Sequence, residues 1–366
     1  MNEFLDPILD RIIGHECILV LGPRFGAKAD NTPLHIDMKT HFEREKQLNL
    51  DYELENLYIL KTAQPTARSK FYRSLKEYYT KVAPSKVYQQ IAQLKFDLVI
   101  NVSPDLLLKN AYDTVGADVD FEYYDKAGKV RAKLPPTEDR PYLYNLFGNI
   151  ANDLSLILTY DDLYDFVKAL MSDETSLHEK LYARIFSGTA ILFLGFDMEK
   201  WYIKLLLKKL DFGRDYPRLR WCVVSESDIS SSETRDFLES NFGMEVMNEG
   251  ATEFIDALFK RAEERERGGE QGSLLRPLKN ATENSAVRQI KDYVRNTDLQ
   301  AAIDLLTEEY DKYEDESNDM LVLAGGFAQL QKKASKGILT NEQIDTQTAQ
   351  FSERILYFAS QLDSLS

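Results

Sequence analysis

Four short stretches of this chain end an apolar run in residues able to hold a polar ligand. They are Glu16-Cys-Ile-Leu-Val-Leu-Gly-Pro-Arg-Phe-Gly26, Phe96-Asp-Leu-Val-Ile-Asn-Val-Ser-Pro-Asp105, Asn145-Leu-Phe-Gly148, and Ala190-Ile-Leu-Phe-Leu-Gly-Phe-Asp-Met-Glu-Lys-Trp201. Each reads as a strand delivering its carboxyl end to a crevice, which is where ligands sit in open α/β sheets. Gly22 and Gly195 suit the tight turns that such ends require. Arg24 lies in the first strand-to-helix turn, where backbone N–H groups and positive charge commonly meet a pyrophosphate. Asp105 and Asp197 are candidates for ribose contacts, each with helix capping as the competing role. Asn101 is either a ligand contact or a satisfied core amide. Asn145 can hydrogen-bond a ribose but has no titrating proton near neutral pH.

These residues need a sheet to align them. Apolar runs at Cys17-Leu21, Leu98-Val102, Tyr142-Phe147, Ile191-Phe196 and Trp221-Ser225 alternate with longer helical patterns, the signature of crossover connections. The expected fold class is therefore α/β, a Rossmann-like, doubly wound, mostly parallel sheet, followed by a small all-α helical bundle. Val119-Gly128 and Lys129-Leu134 alternate apolar and polar residues around a glycine turn and predict a β-hairpin over the crevice. After the helix Thr252-Phe259 the composition becomes charged and glycine-rich, which places an exposed linker at 263–284 between an α/β domain at 1–262 and a helical domain at 285–366. Within the helical domain, Leu299, Ala302, Ile303 and Leu306 make an apolar stripe after a Thr297/Gln300 capping pair, and Thr340/Gln343 repeats the device. Ile344, Phe351 and Phe358 form one seam of the last helix, with Thr348, Ile355 and Leu362 beside it. Gly325 and Gly326 mark either a close helix approach or a helix break.

Composition narrows the partners. The 366 residues are 43% hydrophobic and 29% charged, enough for two domains, and a formal net charge of -15 disfavours phosphate backbones and anionic membranes. Neither nucleic acid nor membrane is expected as a partner. Lys200, Lys204, Lys208 and Lys209 fall at helical spacing and read as a solvated helix face, with Trp201 in the core. Cys17 and Cys222 lie inside apolar strands and read as buried thiols. The four histidines have no metal-ligand spacing, so no metal site is expected. Acidic residues near the N-terminus do not resemble a signal peptide, which makes the cytoplasm the expected location.

The order of these motifs resembles the sirtuin-like NAD-binding domains of prokaryotic defence proteins, over about residues 5 to 262. That family shows a glycine-rich first turn, a strand ending T-N-x-D, a strand ending in His-Gly, and a closing I-L-F-x-G-x-S/D strand. Here the corresponding positions are Leu21-Gly-Pro-Arg-Phe-Gly26, Asn101-Val-Ser-Pro-Asp105, Asn145-Leu-Phe-Gly148 and Ile191-Leu-Phe-Leu-Gly-Phe-Asp197. The resemblance implies NAD as ligand or substrate. Gly22, Arg24, Asn101, Asp105, Gly148, Gly195 and Asp197 would then contact it, and Asn145, Ser103 and Asp105 would stand nearest the chemistry. Two family positions are not filled: Ser103 stands for the asparagine and Phe147 for the histidine that takes a proton. Catalysis is left open by the sequence.

Residues 285 to 362 resemble a helical effector-associated domain of bacterial conflict systems, through Val287-Arg-Gln-Ile-Lys-Asp-Tyr-Val-Arg-Asn-Thr-Asp-Leu-Gln-Ala-Ala-Ile-Asp-Leu-Leu306 and Gly337-Ile-Leu-Thr-Asn-Glu-Gln343. That resemblance implies recruitment of a protein partner carrying a matching domain, with a homo-oligomeric bundle as the alternative. Together the two resemblances imply an effector or adaptor of an antiphage defence system. An active NAD glycohydrolase and an interaction-only scaffold remain as alternatives.

Overall fold

The computed structural model describes residues 2–44, 50–54, 57–60, 65–126, 140–171, 181, 185, 188–210, 218–225, 229, 231–269, 273–276, 285–295, 298–310 and 317–365. The chain divides into two compact units, 1–278 and 279–366.

In the first unit β1 (Cys17–Leu21) is the middle of a parallel sheet with β4 (Leu98–Asn101), β5 (Asp120–Tyr123), β6 (Tyr142–Asn145), β7 (Ala190–Leu194), β8 (Leu219–Val224) and β9 (Glu245–Asn248). Their order is β5-β6-β4-β1-β7-β8-β9, all neighbours parallel. Every residue of β1, β4, β6 and β7 is buried, as expected of strands covered on both faces. The two-residue period then sorts side chains between two cores. Cys17, Leu19 and Leu21 face α1 (Asn2–Ile13), α4 (Val87–Gln93), α5 (Leu107–Thr114) and α9 (Ala251–Arg267). Ile18 and Val20 face α6 (Tyr160–Met171), α7 (Trp201–Leu210) and α8 (Ser232–Phe242). The Rossmann-like, doubly wound expectation therefore holds, and both cysteines are buried free thiols.

Between β1 and β4 the chain inserts α2 (Leu34–Arg44), an antiparallel β2–β3 pair (Leu50–Leu54, Leu57–Leu60) and α3 (Pro65–Lys81). Met38 and Phe42 of α2 pack on Phe71, Leu75 and Tyr78 of α3, and with Ile150, Leu156 and Leu158 they make a small separate core. Asp162, in the first turn of α6, ties this insertion down. Its carboxylate accepts bonds from Arg68 of α3 at 2.8 Å, from Lys126 at 2.5 Å, and from the Leu158 and Thr159 amides.

One sequence expectation changes and one lies partly outside the described residues. The stretch beginning at Val119 supplies β5, which runs parallel to β6, while the turn and second arm of the expected hairpin fall within 127–134, outside the described residues. The expected linker is helical through Arg267. Arginines of this helix pair with α1, Arg261 just before the expected linker with Asp6 at 2.8 Å and Arg265 within it with Asp10 at 2.8 Å. Ala262 supplies a fully buried side chain between them. Farther on, Leu274 enters the core, and the buried Arg276 guanidinium donates to the Ala92, Leu94 and Phe96 carbonyls beside the Tyr112 ring. These carbonyls include the end of α4, whose dipole favours a cation. Limited trypsin digestion should therefore spare the bonds after Arg261 and Arg265, which their pairs with Asp6 and Asp10 hold in α9; N-terminal sequencing of the fragments checks this.

The second unit has its own core, built from α10 (Ser285–Arg295), α11 (Leu299–Tyr310), α12 (Ser317–Ser335) and α13 (Asn341–Leu365). The Leu299, Ala302, Ile303, Leu306 stripe is buried, and the Thr340–Gln343 capping box forms in both directions. The Asp298 carboxylate accepts the Ala301 amide at the start of α11 and Gln300 donates to Asp304, while Thr297 of the expected capping pair lies outside the described residues. Ile355, Ala359 and Leu362 are the fully buried line of α13, with Phe351 and Phe358 at its margin. Helix α12 runs through both glycines. A Cβ on Gly326 would come 3.2 Å from the Phe351 ring, so this glycine serves close packing, while Gly325 has open space beside it.

Candidate functional site

The strand ends named from the sequence do line up. Leu21, Asn101, Asn145 and Leu194 are neighbours across β1, β4, β6 and β7. The turns beyond these ends differ, and the candidates divide into three groups.

At the switch point between β1 and β7 the two turns are in contact. The Gly22 amide donates to the Leu194 carbonyl, and the Arg24 amide donates to the Gly195 carbonyl. A side chain on Gly22 would overlap Gly195, and one on Gly195, held at φ +71°, would lie 2.5 Å from the Phe25 nitrogen. Arg24 and Asp197 bridge the same gap as an ion pair at 2.5 Å. The other Asp197 oxygen accepts the Glu199 amide, so Asp197 serves the turn as well. The sequence put Arg24 on a pyrophosphate and Asp197 on a ribose; in the structure they hold each other. The start of α2 is similarly engaged, with the Leu34 amide on Gly26 and the Ile36 and Asp37 amides on Pro33. Trp201, expected in the core, opens α7 and is 40% exposed beside Tyr160.

Below the other strand ends, Asn101 and Asn145 form a buried amide pair. Asn101 donates to Asn145 at 3.2 Å and accepts the Ser103 amide, and Asn145 donates to the Asp105 carbonyl at 2.8 Å. Asn145 is completely buried, so these amides shape the loop after β4 and do not face a cavity. Gly148 has a structural reason too: at φ +88° it leaves room for the Ser155 backbone.

The third group lines a cavity. A narrow pocket, with about 40 Å³ of space for the centre of a water-sized sphere, lies between the ends of β1, β4 and β6 and the α2–α3 insertion. Ser103, Pro104 and Asp105 form its polar floor, and Phe25, Leu75, Phe147 and Ile157 are among its apolar walls. Phe147 rests edge-on against Phe166, continuing the core behind it. Asp105 is nearly closed off from solvent; one carboxylate oxygen accepts the Leu107 amide at 2.8 Å and the other accepts the Ser103 hydroxyl. Burial pushes the Asp105 carboxyl above its usual range, and those two donors oppose the shift.

An acid whose folded pKa is raised contributes stability below its unfolded pKa, near 3.9, and loses it as pH rises through the folded value. At neutral pH the Asp105 charge is therefore a burden. Asp105→Asn retains an acceptor for Leu107 and should leave Tm at pH 7 equal to or above that of the parent. Thermal unfolding at pH 5 and pH 7 checks this, and a fall of several degrees at pH 7 would contradict the assignment.

Sequence reasoning missed His35. It lies in the first turn of α2, lines the pocket, and keeps Nδ1 out of solvent. Its signal was present in Leu34 and Met38, an i, i+4 apolar pair whose inward face also points toward the strand ends.

Compared with known families, residues 97–246 match the SIR2-like domain model and residues 285–363 match that of effector-associated domain 11. The first span runs from β4 into β9 and contains Ser103, Asp105, Asn145, Phe147 and Asp197, while β1 and its turn precede it. The second covers α10 and nearly all of α13. No curated protein matches the chain.

Proposed function

We propose that this chain, a SIR2-like domain followed by an effector-associated domain, is a defence-system effector or adaptor that binds NAD or a related nucleotide and is recruited through its helical unit. The observation that carries the nucleotide reading is the pocket at the ends of β1, β4 and β6. It joins an apolar wall suited to an aromatic ring with the polar Ser103 and Asp105 floor suited to sugar hydroxyls. One end of a dinucleotide would seat here once the narrow pocket opens at the α2–α3 cover. The other end meets the Arg24–Asp197 pair, so a pyrophosphate must draw Arg24 away from Asp197 to gain its charge. When bound, NAD would supply a glycosidic bond to a good leaving group. The chain's own contribution is to seat the ring against Phe147, hold the sugar at Ser103, and restrict water through the α2–α3 cover.

Phe147 takes no proton, and acid–base assistance is typically worth about 10²- to 10⁴-fold. Turnover by the isolated chain should accordingly be slow relative to binding. The test is nicotinamide release by full-length protein at saturating NAD, alone and after assembly with a partner bearing the same type of helical domain. Slow release that rises on assembly supports the reading; rapid release by the isolated chain contradicts it.

Recruitment would use apolar side chains that the helical unit leaves exposed. Tyr310 and Phe327 are core, whereas Val322, Ile338 and Tyr357 are each at least 60% exposed. Such residues are suited to an interface, and Tyr357→Glu should weaken capture of the partner without unfolding the unit.

A further inference from the structure

We propose that the outer face of α6 is a pairing surface, on which the α/β units of two copies of this chain meet about a two-fold axis. Tyr160, Tyr164 and Met171 are 42%, 61% and 47% exposed along this helix. They recur at i, i+4 and i+11, which puts them on one side of it. Trp201, 40% exposed, extends the row from α7, its ring 6.4 Å from that of Tyr160. The core is not short of apolar surface here, because Leu163, Phe166 and Leu170 already fill it from another face of α6. A single exposed apolar side chain is ordinary. A row of tyrosines and a methionine beside a tryptophan is the composition of an interface centre.

The charges along the row identify the occupant as a second copy. Asp161 and Lys168 are both exposed, border the apolar row on the same edge, and form no ion pair with another described residue. Let α6 cross its copy antiparallel, with the two-fold axis between Tyr164 and Asp165. Asp161 of each chain then lies opposite Lys168 of the other, because the two residues are equally far from the axis and a two-fold contact repeats every pair. The same operation brings Tyr164 against its own counterpart and Tyr160 beside Met171 of the second copy, within reach for helices packed about 8 to 10 Å apart. Asp161 and Asp165 oppose a nucleic acid or an anionic membrane on this face. Trp201 opens α7 shortly after Asp197, so the paired units meet near the Arg24–Asp197 turn. Recruitment through the helical units would hold α/β units close together and so strengthen a contact that is weak between free chains.

The experiment is sedimentation equilibrium of the full-length chain across the micromolar range, beside charge-reversed variants. The parent should self-associate reversibly. Asp161→Lys sets lysine against lysine in both pairs and should weaken the association at least about tenfold. The double variant Asp161→Lys, Lys168→Asp restores opposite charges with their places exchanged, and should return the association to within about threefold of the parent. Tyr164→Glu places like charges at the axis and should weaken it as Asp161→Lys does. All three positions are exposed, so thermal unfolding should change little, and recovery in the double variant excludes misfolding as the cause of the loss. Association through the helical unit alone would be untouched by substitutions on α6. A parent that stays monomeric throughout, an association indifferent to Asp161→Lys, or a loss that the double reversal fails to recover overturns the proposal.

Discussion

Asp162→Ala should destabilise the α/β unit by about 1 to 3 kcal/mol, the usual cost of leaving buried hydrogen-bond donors without their acceptor. The carboxylate is only 11% exposed and receives Arg68, Lys126, the Leu158 and Thr159 amides and the Thr159 hydroxyl. Without it two cations are left facing each other beneath the cover, and the first turn of α6 loses its cap. Burial alone would raise the Asp162 pKa, yet Arg68 and Lys126 outweigh it and hold the carboxyl well below the usual carboxylate range. A depressed acid contributes stability that is present above its unfolded pKa, near 3.9, and is lost as pH falls through the folded value. The parent should therefore lose this contribution progressively below about pH 4, and Asp162→Ala should show it missing already at pH 7. Denaturant unfolding at pH 7 and pH 3.5 measures both, and a difference under about 1 kcal/mol at pH 7 would reduce the cluster to an ordinary surface contact. Because the cluster joins α3 to α6, its loss should loosen the α2–α3 cover and weaken ligand binding as well.

The second large effect is on the ligand. Ser103→Trp places an indole on the floor of a cavity walled by Phe25, Leu75, Phe147 and Ile157. Ser103 is partly exposed, so the larger side chain has a path into the pocket without displacing the core. NAD affinity should fall at least about a hundredfold, on the order of 2.8 kcal/mol, with a smaller loss of stability, about 1 kcal/mol, from the Asp105 oxygen that loses its Ser103 donor. A matched loss of stability would mean that the loop after β4 had collapsed, and an unchanged affinity would move the ligand elsewhere.

Much of the fold was legible because buried parallel strands write themselves as continuous apolar runs. Cys17-Leu21, Leu98-Asn101 and Ala190-Leu194 are such runs, and each is a strand. Edge strands are less visible. In β9 only Met247 is buried, and β5 buries Asp120 but leaves Phe121 and Tyr123 half-covered. The helical course of 263–267 was illegible from local composition, since what orders it is Asp6 and Asp10 at the far end of the unit.

The site was legible in position more than in role. Residue type put Asn101, Asn145, Ser103, Asp105, Arg24 and Asp197 at strand ends, and register brought those ends together. Type could not say that the two asparagines bond each other, nor that Arg24 and Asp197 pair across the β1–β7 gap. His35 was only half legible for a related reason: the Leu34/Met38 spacing marks an inward face of α2, but not that the insertion folds back over the sheet.

The most direct measurement is a calorimetric titration of the full-length protein with NAD, run beside Ser103→Trp. The account predicts saturable binding at one site per chain, lost in the tryptophan variant. Absence of binding by the parent, or equal binding by both proteins, would contradict a nucleotide pocket at the ends of β1, β4 and β6.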